Sequence, residues 1–165
     1  MGSYADDALF MSRNNIEYVE LISDDGKSKV MVIPAWQGRV MTTSAAGDEG
    51  DSYGWINYSF IKKRQIDLQF NPVGGEERFW LGPEGGVFSL YFRQGEKQIY
   101  KNWKVPPVLD IEAFKIQSQS KNCICLTKEG CLTNACGTTF YLNIKRTISL
   151  LDINEFAAVS YTHLR

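Results

Sequence analysis

Histidine is almost missing from this chain: 165 residues contain one, His163. Mechanisms that need two or three imidazoles, as metal ligands or as acid–base pairs, are excluded for the chain acting alone. No apolar run approaches the roughly 18 residues that a membrane-spanning helix needs. Neither sign of charge prevails, with 18 Lys and Arg against 19 Asp and Glu and a formal net charge of -1. That mixture lacks the basic footprint of a nucleic-acid binder, and the short run Lys62-Lys63-Arg64 reads as a solvated strand end. Residues 1–10 have neither the positive cluster nor the apolar stretch of a secretory signal. Helical periodicity is also scarce. Tyr4–Arg13 predicts a short helix, with Asp6 or Asp7 favouring its first turn, and 152–158 is the only other candidate.

What is there is strand pattern. Hydrophobic residues at 44% and charged residues at 22% suit a folded domain with its own core rather than a disordered tail. Apolar residues recur with period two, the mark of strands with one buried face. Val19 and Leu21 begin the series, residues 30–33 and 39–43 follow, and Asp25-Gly26 marks a turn between the first two. Phe88, Leu90 and Phe92 alternate with Ser89, Tyr91 and Arg93. Phe114 and Ile116, then Ile124 and Leu126, then Phe140, Leu142 and Ile144 repeat the pattern. The expectation is an all-β fold, an antiparallel β-sandwich or part of one, with Phe88, Phe92, Phe114 and Phe140 in its core.

Three stretches break the rhythm: 47–56, 71–86 and 101–109. They mix Gly and Pro with large aromatics, Trp55, Trp80 and Trp103 among them, and exposed loops seldom carry such rings unless they pack or bind something. The densest chemistry lies in 74–86 (GGEERFWLGPEGG). Glu76 and Glu77 are candidates for acid–base work, Arg78 and Glu84 for hydrogen bonds to a ligand, and Trp80 for stacking on a sugar. The other reading of this stretch is a structural crossover in which Arg78 and a glutamate pair internally. The lysine and Ser/Thr of a P-loop are missing. Arg39, Trp55 and Asn57 form a second group suited to a polar ligand or to an inward-facing scaffold. Asp48, Glu49 and Asp51 share one loop, but their spacing does not match an EF-hand.

The cysteines Cys123, Cys125, Cys131 and Cys136 fall in one short segment. They read as inert thiols, as a disulfide or, least well given the one-residue gap between the first two, as a zinc site. No metal and no cofactor is expected. The periodic pattern stops near Ile153, and 158–165 resembles a translated sequencing-adapter tail, the alternative being a natural polar terminus. On the first reading, residues 1–157 are the N-terminal part of a larger β domain and His163 is an artefact. Such a fragment would self-associate through exposed strand edges.

Residues 34–44 (PAWQGRVMTTS), 47–50, 54–57, 74–86 and 137–151 together resemble an uncharacterised group of Bacteroidetes proteins. That group is similar in architecture to the galactose mutarotase-like β-supersandwich. The resemblance implies a longer full-length protein, periplasmic or exported, with a sugar-facing cleft lined by Arg39, Asn57, Arg78 and Glu84. True aldose epimerases of this architecture use histidines with a glutamate, and no histidine precedes His163. The expected function is therefore carbohydrate binding near the 74–86 loop, any hydrolytic or isomerising chemistry being left to the full-length protein. The alternative is a non-enzymatic structural or accessory β-sandwich.

Overall fold

The computed structural model describes residues 2–151. The second helix candidate, the 158–165 tail and His163 lie outside the described residues. The described residues are mostly β, with few helices and two three-stranded antiparallel sheets. The first sheet has the order β1-β2-β3, from Val19–Ile22, Lys29–Ile33 and Arg39–Ser44. The second has the order β4-β5-β6, from Lys115–Gln119, Cys123–Thr133 and Thr139–Ser149.

The main core lies between the sheets. Leu21, Val30, Val32 and Val40 of the first pack in one cluster with Ile124, Leu126, Leu132 and Ile144 of the second. The sheets also join through the backbone, where Ile22 N donates to Lys121 O at 2.8 Å. The first sheet is covered on both faces. Met31, Ile33 and Met41 point into a second cluster with Tyr4 and Met11 of helix α1, Tyr4–Arg13. Two-sided burial is why β2 reads as an unbroken apolar run, while one-sided β6 alternates. By the 25 cal/mol per Å² rule, each large side chain buried here contributes about 1.5–3 kcal/mol.

Helix α1 starts where the sequence provides a cap. Ser3 Oγ accepts from Asp6 N at 3.2 Å, and Asp6 Oδ2 accepts from Ser3 N at 3.0 Å. Asp7, also in the first turn, is buried and accepts from Ser52 Oγ and Tyr58 Oη. These bonds tie α1 to helix α2, Tyr58–Lys62. Burial and the Asp7 carboxylate push the Tyr58 phenol up to about 12. The β5–β6 hairpin closes on Asn134, whose Oδ1 accepts from Thr138 N at 2.8 Å.

Three expectations are corrected. Residues 88–93 form bends and turns, not a strand. Ser89 Oγ donates to Glu84 O and accepts from Tyr91 N, so side chains do what a sheet ladder would have done. Its alternation is also broken: Ser89 and Tyr91 are buried and Phe88 is 63% exposed, while Phe92 is buried next to Tyr91. Phe92 and Phe114 are in the core as expected, but Phe140, near the tip of the β5–β6 hairpin, is 45% exposed. The Lys62-Lys63-Arg64 run ends α2 rather than a strand.

Candidate functional site

The 74–86 loop begins as an addition to the first sheet. Glu76 N donates to Val40 O at 2.9 Å and Val40 N to Glu77 O at 3.1 Å. On its other side, Gly75 N donates to Trp55 O at 2.8 Å. Gly74 and Gly75 have φ of 97° and 112°, which side-chain-bearing residues rarely adopt. A Cβ on Gly74 would collide with the Trp55 carbonyl, and one on Gly75 would lie 2.8 Å from Arg39 Cδ. The glycine pair is thus set by two close backbone approaches.

The two arginine candidates turn inward, while Glu76 and Glu77 bond within the chain at the surface. Arg39 is 1% exposed, and its Nη1 donates to Gly74 O at 2.8 Å. Burial, then repulsion from Arg78, push its pKa down to about 10, so it stays charged at neutral pH. Arg78 Nη2 donates to Leu109 O at 2.7 Å and meets Asp110 Oδ1 at 3.4 Å. Burial lowers its pKa, with Asp110 pulling the other way. The Arg78 guanidinium lies 4.1 Å from the Trp80 ring centroid and 5.3 Å from that of Phe70. Asp110 in turn accepts from Asn71 N and Nδ2 at 2.9 and 2.8 Å. Glu76 accepts from Thr43 N and Oγ1, and Glu77 pairs with Arg146. Asn57 caps α2, its Oδ1 taking Phe60 N at 3.1 Å, and its Nδ2 donates to Pro72 O. Trp55 is 64% exposed.

Trp80 and Glu84 stay together at the surface, where Trp80 Nε1 donates to Glu84 Oε1 at 2.9 Å. They border a row of rings that the sequence did not single out as a unit. Trp80 lies 5.1 Å from Tyr91, and Tyr91 stacks on Trp103 at 5.6 Å and 6°. Trp103 stacks on Tyr100 at 6.2 Å and 13°. The last pair follows from a 3₁₀ turn over Tyr100–Asn102, because side chains three residues apart eclipse in that geometry. The row runs from buried Tyr91 to Tyr100, which is 78% exposed. Tyr100, Trp103, Ile99, Phe92, Gln98 and Glu84 line an open groove of about 340 Å³. Gln98 pins the groove to the loop: its Oε1 accepts from Gly86 N and its Nε2 donates to Gly86 O, both at 2.7 Å.

The groove is within the range of about 300–1,000 Å³ usual for small-ligand sites. A larger depression of about 660 Å³ lies over β4, β5 and β6, but its lining, including Lys115, Gln117, Glu129 and Lys145, has no aromatic ring. Of the sequence candidates, Arg78, Trp80 and Glu84 form one connected set, but only Glu84 lines the groove. Sequence reasoning missed Tyr100, Gln98 and Asp110. The available signal was Tyr100 and Trp103 three residues apart, just before Pro106-Pro107.

All four cysteines are free thiols. Among the described residues no group of three or more His, Cys, Asp or Glu is gathered to hold a metal. Asp48 instead pairs with Lys29 at 2.7 Å. No described helix is long and apolar enough to cross a membrane. The model of a family of unknown function, DUF6786, matches residues 2–162. No curated protein and no solved structure matches the chain.

Proposed function

We propose that this chain, which belongs to the DUF6786 family, binds a saccharide in the groove between Tyr100, Trp103 and Glu84. One observation carries the reading. The exposed end of a stacked row of rings lies in the same groove as a carboxylate and a carboxamide. The outer face of Tyr100 suits the C–H face of a pyranose, and Glu84 and Gln98 suit its hydroxyls. Glu84 also puts negative charge in the groove, which favours a neutral sugar over a uronate. Arg78 supports the site from behind, by stacking on Trp80.

The function is binding rather than turnover. Glu76 and Glu77, the pair read as acid and base, are engaged by Thr43 and Arg146 and do not line the groove. This internal pairing, with that of Arg78, is also what favours the second reading, a structural or accessory β protein. We assign the architecture to part of a galactose mutarotase-like supersandwich. The support for this is the pair of antiparallel sheets sharing one core.

A glycan array probed with wild type and with Tyr100→Ala tests the proposal. Binding of a neutral glycan that Tyr100→Ala loses, with unchanged thermal melts, is the expected result. Binding that Tyr100→Ala retains in full, or no glycan bound, favours the structural role.

A further inference from the structure

A second cavity, of about 200 Å³, opens beside α2, away from the aromatic groove. Its walls are mostly apolar, from Trp36, Phe60, Ile61, Val73 and Ile111, with Asn71 and Asp110 also lining it. The volume is below the about 300–1,000 Å³ typical of small-ligand sites and suits one large side chain. Ile66 lines the same cavity while 68% exposed, so apolar surface continues outward from it. Arg64 also lines it, next to exposed Lys63.

Charge decides what fits. Neither Lys63 nor Arg64 forms an ion pair among the described residues. Lys62, one residue earlier, leans over the Phe10 ring of α1 at 5.8 Å. The carboxylates nearby are already engaged. Asp110 is buried against Asn71 and Arg78, and Asp67 accepts from Gln69 N at 2.7 Å. We infer that this cavity is a docking socket for a protein segment that inserts one large apolar side chain flanked by acidic residues. The apolar side chain fills the cavity, and the acidic flanks meet Lys63 and Arg64. Such an anchor in a pocket with a charged rim is how short segments reach specificity.

The test uses the whole chain and the peptide fluorescein-Asp-Glu-Phe-Asp-Glu-amide, labelled at its N-terminus and read by polarisation, with the unlabelled acetylated peptide and the chain's tryptophan emission as a second signal. The peptide should bind, and replacing its phenylalanine by alanine should abolish binding. Lys63→Gln with Arg64→Asn should weaken it by about tenfold. Asn suits position 64, where φ is 51°. Raising salt from about 50 to about 300 mM should weaken binding as well. Equal affinity for a lysine-flanked peptide would overturn the inference. So would binding of anionic phosphatidylserine vesicles in place of the peptide, or no peptide binding at millimolar concentration.

Discussion

Replacing Arg78 by alanine separates a scaffold role from a ligand-binding one. The Arg78 side chain is 22% exposed, while that of its partner Asp110 is 3% exposed. Asp110 would keep its two bonds from Asn71 and lose its only cationic partner among the described residues. Leu109 O would lose one of two donors, Gln37 Nε2 remaining. Breaking a fully buried pair costs about 3–5 kcal/mol. The 3.4 Å separation and partial exposure put this pair below that range, and loss of the Trp80 stack adds about 0.5–2 kcal/mol. The expected destabilisation is about 2–4 kcal/mol, read as a shift of the urea midpoint with unchanged slope. Arg78→Lys should recover only part of it, because lysine keeps the charge but not the planar stack. A variant within about 0.5 kcal/mol of wild type that no longer binds saccharide would refute the scaffold assignment.

Three further outcomes are expected. Gly74→Ala should lower stability by at least about 2 kcal/mol, since the new Cβ meets the Trp55 carbonyl at positive φ; a neutral effect in denaturant titration would contradict the loop path. The Tyr58 phenol is held near 12 in the fold against an ordinary 10.0, so the unfolded chain loses its proton first. Stability from this group is then complete below pH 10 and falls as pH rises towards 12, and Tyr58→Phe should flatten that decline. Hydrogen bonds, first from Thr138, lower the Cys136 thiol pKa, so a thiol reagent near neutral pH should label exposed Cys136 first and buried Cys125 last; the reverse order would count against this arrangement.

Elements whose local signals agreed with their packing were legible in the sequence. Helix α1 spans the residues its pattern predicted, because Ser3 and Asp6 cap it and Tyr4 and Met11 meet the sheet. Strands β2, β5 and β6 were also visible, the first as an apolar run and the others by alternation. Residues 88–93 misled because alternation alone cannot report that Ser89 serves the backbone while Phe88 faces water. The loop glycines and the Trp80–Glu84 pair were legible as chemistry, but their partners were not. Asp110 lies 32 residues from Arg78, and no local pattern announces that pairing. The groove itself depends on a 3₁₀ turn that puts Tyr100 over Trp103. A strand-oriented reading treats that segment only as an interruption.

The most direct test of the central claim is saturation-transfer NMR of a neutral oligosaccharide with wild type and Tyr100→Ala. Saturation of the C–H protons on one face of a single sugar ring is predicted for wild type, with its loss in a Tyr100→Ala protein that melts normally. Undiminished transfer in that variant, or no transfer to any neutral sugar at millimolar concentration, would contradict a saccharide site at the aromatic groove.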